Sequence, residues 1–185
     1  MRDFQKPERS EIFSSNGMIA TSHPLAAKVG IDAMSKGGNA IDAAITAALM
    51  LVLCEPQSTG LFGDAFAIIK SKKSKSIIGL NGSGKAPMAL SSETLLSKNI
   101  KEIPLDSVHS VTVPGAVSLF EQAADKFGDL GLKELCVQPI NSLQECGINV
   151  FKDMPGFNDM GGVRIFVYPF DAELLLWLIH PLHCL

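Results

Sequence analysis

The feature that most constrains the fold is the run of residues 40–54, which is apolar except for Asp42 and Thr46. Alanines recur along it every four residues, so one helical face carries only small side chains and can lie close against a sheet. Asn39 precedes the run as a helix cap, and Asp42 stands where a carboxylate meets exposed backbone N–H groups. Fifteen residues are too few for an ordinary membrane span. The run therefore predicts a buried helix, and we expect no membrane role.

The segment before this run predicts a strand that leads directly into another helix. Residues 18–21 form the strand, and Pro24 suits the first helical position. His23 or Ser22 can cap that helix, and Gly37 ends it. Two helices thus follow one another almost without a loop.

The rest of the chain continues an α/β alternation. Two strands surround a polar hairpin turn, a short helix and a further β-branched strand follow, and two helices come after a Pro-Gly pair. These predicted elements are strands at 65–71, 76–80 and 107–113, and helices at 91–96, 116–127 and 132–144.

Five short motifs in this order resemble the start of the gamma-glutamyltranspeptidase family, also called glutathione hydrolases. They are residues 17–26, 37–44, 55–66, 86–87 and 111–115, with a weaker continuation from 132 to about 151. The resemblance is to the N-terminal part of the large-subunit region. It implies an α/β (α+β) fold, a partial four-layer αββα sandwich of the N-terminal-nucleophile hydrolase type that is incomplete without the C-terminal half.

The resemblance divides the chain into residues 1–152, a gamma-glutamyltranspeptidase-like portion, and residues 153–185, a divergent tail. The tail holds the only tyrosine and the only tryptophan, Tyr168 and Trp177, and ends in a dense apolar stretch. Two interpretations are open, a divergent terminus that packs on the sheet or a disruption of the coding frame. We favour the second, because a bare apolar end would expose a patch that soluble monomers seldom tolerate.

The chemistry that the resemblance implies belongs mostly to a second half. The family cleaves its precursor so that this half begins with a threonine, which attacks an amide with its own α-amino group as the base. The last threonine here is Thr112, and nothing beyond it can fill that role. We therefore expect no catalytic residue in this chain, no cofactor, and two partners, a C-terminal catalytic half and a small amide substrate such as a γ-glutamyl compound.

One substrate contact of the family falls within this sequence. An arginine just before the Ala86-Pro87 pair holds the α-carboxylate of the γ-glutamyl group in the family, and Ser83 stands in its place here. A hydroxyl does not replace the bidentate guanidinium fork. Lys85 lies two residues further on and would share its face in an extended segment. Ser83 and Lys85 are therefore the candidate substrate-binding residues, and an amide other than a γ-glutamyl compound is an alternative substrate.

Two alternative functions remain at this point. Residues 79–85 fit the Gly-x-x-x-x-Gly-Lys pattern of a phosphate-binding loop, but Ala86 lacks the hydroxyl that would hold Mg²⁺ and Pro87 interrupts the helix that should follow. The other alternative is a non-catalytic structural subunit or remnant.

Composition excludes several further classes. A net charge of −3 does not favour nucleic acid as a partner. The charged N-terminus has no apolar signal segment, so we expect a cytoplasmic protein. The four cysteines form no Cys-x-x-Cys pair and indicate no disulfide framework. His180, His183 and Cys184 are close in sequence, but zinc would need more ligands in a folded frame, so we expect no metal site.

Overall fold

The structure is a computed structural model, and it describes residues 11–71, 76–104, 107–146, 163–169 and 172–179. Within these ranges the strands are β1 (Gly17–Ala20), β2 (Asp64–Ser71), β3 (Ile77–Gly82), β4 (Val163–Pro169) and β5 (Ala172–Ile179). The helices are α1 (Pro24–Ser35), α2 (Ala40–Cys54), α3 (Ser92–Ser97), α4 (Ala116–Phe127), α5 (Leu132–Leu135) and α6 (Val137–Cys146), with a 3₁₀ turn at Val108–Ser110.

The five strands form one sheet in the order β1-β4-β5-β2-β3. All neighbouring strands run antiparallel. The β2–β3 hairpin pairs Ala65 with Gly82 and Lys70 with Ile77. The β4–β5 pair lies between β1 and β2, so β1 joins the hairpin only through strands from near the end of the sequence.

Helices cover one face of this sheet. Helix α2 lies over β4 and β5, and α4 lies over β2 and β3. Along β2 the residues Ala65, Ala67 and Ile69 face this core and are buried. Ile68 and Ile77 point the other way, and 49% and 66% of their surfaces are exposed. The described part of the chain therefore forms two layers, one helical and one sheet, and the second face of β2 and β3 is exposed at Ile68 and Ile77.

Helix α2 forms as the sequence predicts. Asn39 Oδ1 accepts hydrogen bonds from the N–H groups of Ile41 and Asp42, and the Asp42 carboxylate accepts one from Asn39 N at 2.8 Å. This reciprocal capping box satisfies the donors at the helix start. All five of its alanines are completely buried, which allows the close packing that the four-residue repeat predicts. Among the helices in the described ranges, none combines the length and apolar character needed to cross a bilayer.

Helix α1 confirms one of its two predicted caps. Pro24 is the first helical residue, and His23 Nδ1 accepts a hydrogen bond from Leu25 N at 3.2 Å. Gly37, with φ of 98°, occupies the left-handed region after the helix, where a residue without Cβ is favoured.

Two predicted elements are wrong. Residues 107–113 do not form a strand, because Ser107 accepts hydrogen bonds from His109 and Ser110 and folds the segment into a 3₁₀ turn. The single helix predicted over 132–144 is two helices, α5 and α6. Pro139 has no N–H to donate to the Leu135 carbonyl, so the helical hydrogen-bond series is interrupted between them.

Candidate functional site

Three loops meet at one end of the strands of the sheet. Ala65 at the start of β2 pairs with Gly82 at the end of β3, which brings the loops before β2 and after β3 together. The loop after β1 joins them, since Ser22 Oγ donates a hydrogen bond of 2.8 Å to Glu55 Oε2 in the loop after α2. This region at the strand ends, which we call the loop edge, is formed by residues 21–23, 55–64 and 83–87.

Asp64 connects the loop edge to the segment that precedes α4. Its Oδ1 atom accepts a hydrogen bond from Gly84 N at 2.7 Å and another from Thr112 Oγ1 at 3.2 Å. The backbone of Gly63 extends the same connection, because its carbonyl accepts from the N–H groups of Gly115 and Ala116. One carboxylate thus fixes the end of the hairpin against residues 112–116. We call Asp64, Gly84 and Thr112 the Asp64 clamp.

The backbones in this region pack too closely for side chains. A Cβ atom on Gly84 would overlap the Val113 carbonyl oxygen, and one on Gly115 would overlap the carbonyl oxygen of Gly82. Both obstacles are main-chain atoms that the sheet and the clamp hold in place. Glycine is therefore required at these two positions for lack of space.

Replacing Gly84 by alanine is expected to destabilise the chain by about 2 to 4 kcal/mol, because the new methyl group must displace backbone at the clamp. Gly79 provides a matched control on the same hairpin, since a Cβ there would meet nothing within 4 Å. We expect G79A to change the stability by less than about 1 kcal/mol. Urea denaturation monitored by circular dichroism measures the free energy of unfolding of both variants. Equal denaturation midpoints for G84A and G79A would contradict the close backbone packing at Gly84.

Ser83 and Lys85 lie on the loop edge as exposed residues on either side of Gly84. The Ser83 N–H donates to Asn81 Oδ1 at 2.9 Å, and the Lys85 carbonyl accepts from Val113 N at 2.9 Å. These bonds fix the backbone and use neither the Ser83 hydroxyl nor the Lys85 ammonium group. Their role as substrate contacts stays a prediction.

Glu55, in the loop after α2, is a buried carboxylate with 1% of its surface exposed. Its carboxylate accepts from Ser22, and its carbonyl accepts from Ser58 N, Thr59 N and Thr59 Oγ1. The loop after α2 is therefore tied both to itself and to the end of β1. Ser22 is 33 residues away from Glu55, so no local sequence pattern indicated this link.

The phosphate-loop alternative does not fit this geometry. Residues up to Gly82 continue strand β3, and the next helix begins only at Ser92. A phosphate loop needs free backbone N–H groups at a helix N-terminus. Here the Gly84 N–H already donates to the Asp64 carboxylate, whose negative charge would repel a phosphate.

The described residues hold no cluster for a metal ion, and the Cys136 thiol among them is not activated as a nucleophile. The Thr112 hydroxyl donates to Asp64. Burial raises the pKa of the Cys136 thiol, so this cysteine stays protonated at neutral pH and is a poor nucleophile. Within the ranges that the structure describes, no three metal-ligating side chains lie close enough together to hold an ion. His180, His183 and Cys184 lie outside those ranges.

Comparison with known proteins supports the family resemblance seen in the sequence. The family model described as gamma-glutamyltranspeptidase matches residues 26–164. The glutathione hydrolase proenzyme of Bacillus subtilis is 35% identical over 139 residues, which are 73% of this chain and 24% of that protein. This chain therefore spans about a quarter of the length of that curated relative.

Solved structures agree with the sequence comparison. A cephalosporin acylase from Bacillus halodurans has a TM-score of 0.70 and 41% identity over 78% of this chain and 27% of its own. The Helicobacter pylori gamma-glutamyltranspeptidase has a TM-score of 0.64 and 29% identity over 72% of this chain and 39% of its own. These likenesses confirm the expected partial sandwich of the N-terminal-nucleophile hydrolase type. The chain belongs to the gamma-glutamyltranspeptidase family.

Proposed function

We propose that this chain supplies the scaffold and one wall of the acyl-binding pocket in an amidohydrolase or acyltransferase of the gamma-glutamyltranspeptidase type. The observation that carries the proposal is the loop edge, where the Asp64 clamp holds Ser83 and Lys85 exposed at the end of the hairpin. In the family that this sequence resembles, an arginine in the segment before the Ala86-Pro87 pair contacts the acyl group, which supports the proposal.

The attacking hydroxyl comes from a C-terminal catalytic half. Its N-terminal threonine uses the α-amino group as general base, and Thr Oγ forms a bond to the amide carbonyl carbon while the amine takes the proton. The C–N bond then breaks, and the departing amine receives that proton. Water or another amine finally releases the acyl group from the threonine ester.

The exposed second face of β2 and β3 provides the surface for this half. Ile68 and Ile77 expose apolar side chains on the face that α2 and α4 do not cover. In a four-layer sandwich each sheet buries one face against the other sheet. The second sheet would therefore cover these residues and bring its threonine towards the loop edge.

The substrate class follows from the polar groups at the edge. A γ-glutamyl amide presents a carboxylate, and here Lys85 provides a point charge and Ser83 a hydroxyl, without a bidentate guanidinium fork. We propose an amide substrate with a short polar acyl group, of which a γ-glutamyl compound such as glutathione is one example. The acylase relative, whose name indicates cephalosporin as its substrate, supports an acyl donor beyond glutathione.

A chimera tests the proposal. Residues 17–146 replace the matching segment of the Bacillus subtilis glutathione hydrolase proenzyme, and release of p-nitroaniline from a γ-glutamyl anilide and from a neutral acyl anilide is measured. We expect self-cleavage of the proenzyme and hydrolysis of at least one anilide. The purified chain alone should release no product. A chimera that folds and cleaves itself but hydrolyses neither anilide would contradict the substrate assignment, and activity of the isolated chain would contradict the missing nucleophile.

A further inference from the structure

We infer that Asp64 is a positioning residue, which sets the backbone of residues 83–85 for binding the acyl group without itself touching it. This inference rests on the proposed function and assigns a role within that same site.

The geometry of the Asp64 clamp supports this assignment. Gly84 lies between Ser83 and Lys85, and its N–H points to Asp64 Oδ1 at 2.7 Å, a short bond with an ionised acceptor. Thr112 approaches the same oxygen from the segment before α4. The carboxylate therefore fixes Gly84 in the middle of the candidate binding segment, and the side chains of Ser83 and Lys85 on either side remain exposed.

The neighbouring hydrogen bonds do not replace this function. The bond from Val113 N to the Lys85 carbonyl holds one side of Gly84, and the bond from Ser83 N to Asn81 holds the other. Neither bond sets the orientation of the Gly84 peptide itself. Loss of the Asp64 acceptor frees this peptide to rotate, which changes the directions of Ser83 and Lys85.

Charge and geometry predict opposite effects of two substitutions. Asp64→Ala removes the acceptor and loosens the segment. Asp64→Asn keeps an oxygen for Gly84 N and Thr112 Oγ1 but removes a negative charge that repels an anionic acyl group. A positioning role thus predicts weaker ligand binding in D64A and equal or tighter binding in D64N. A role limited to folding predicts lower stability in D64A with unchanged affinity in the folded molecules.

The experiment uses the full chain labelled with ¹⁵N and glutathione as the probe. Amide chemical shifts of residues 83–85 are followed during titration, at a temperature where thermal unfolding shows every variant to be folded. We expect D64A to weaken glutathione binding by about tenfold, because Ser83 and Lys85 would no longer be held in the geometry that binds the ligand. Its Gly84 amide should exchange with solvent at least about tenfold faster than in the wild type. Asp125→Asn, an exposed aspartate on α4, is the charge-matched control and should change neither quantity.

Thr112→Val is the second variant, in case D64A does not fold. It removes one donor to Asp64 with little change in shape, and we expect a smaller loss of affinity in the same direction. If D64A binds glutathione with wild-type affinity and its Gly84 amide exchanges at the wild-type rate, the positioning role is overturned and the proposed function stays intact. If D64A is unfolded, wild-type glutathione affinity in T112V overturns the positioning role. Absence of any glutathione-induced shift at residues 83–85 in the folded wild type overturns the proposed substrate contact, and the inference with it.

Discussion

Replacing Ser83 by arginine in the chimera is expected to raise kcat/KM for a γ-glutamyl anilide by about 10- to 100-fold. A hydrogen bond to a charged partner contributes about 1.5 to 3 kcal/mol, which corresponds to this range of rates. The guanidinium fork would bind the α-carboxylate through two parallel bonds, and the exposed position of Ser83 leaves room for the longer side chain. Steady-state kinetics on the purified, self-cleaved chimera measures the effect.

Two controls separate the fork from the charge. Ser83→Lys adds the same charge without bidentate geometry, so we expect a gain well below that of S83R. A neutral acyl anilide lacks the carboxylate, and its hydrolysis should not become faster in S83R. Equal gains with both anilides would show a general effect on the enzyme. No gain with the γ-glutamyl anilide would contradict the placement of Ser83 at the carboxylate.

The elements that sequence patterns predicted well are those fixed by local chemistry. Helix α2 begins and ends at the predicted residues, because Asn39 and Asp42 cap it within four positions of each other and Pro56 limits its other end. The β2–β3 hairpin also follows its pattern to within two residues at each end. In both elements the residues that decide the boundary are near it in sequence.

The features that escaped prediction depend on distant partners. Asp64 receives hydrogen bonds from Gly84 and Thr112, which are 20 and 48 residues away, so no local pattern marked its role in the candidate site. The interruption at Pro139 is different, because the missing N–H was visible in the sequence and its consequence for the helix was overlooked. The position of β4 and β5 between β1 and β2 is likewise set by pairing between remote segments. The division of the chain at residue 153 stays a prediction.

The same contrast between local and distant partners applies to Asp42, whose cap was predicted but whose second role was not. Beyond capping α2, its carboxylate accepts hydrogen bonds from Asp129 N at 2.9 Å and Leu130 N at 3.3 Å, in the turn between α4 and α5. The residue is completely buried. Asp42 therefore joins the start of α2 to a turn almost ninety residues further on.

Asp42→Ala is accordingly expected to lower the free energy of unfolding by about 3 kcal/mol, because it leaves three partly buried backbone N–H groups without their acceptor. Asp42→Asn should lie between this variant and the wild type, since one amide oxygen still accepts but the NH₂ group faces donors. Asp129→Ala is the matched control: its exposed carboxylate accepts only from Asn39 Nδ2 among the described residues, and its loss should cost less than about 1 kcal/mol. Urea denaturation monitored by circular dichroism ranks the three variants. If D42A were no less stable than D129A, the turn after α4 would be held by its own packing, and the link through Asp42 would not contribute to the stability of the helical layer.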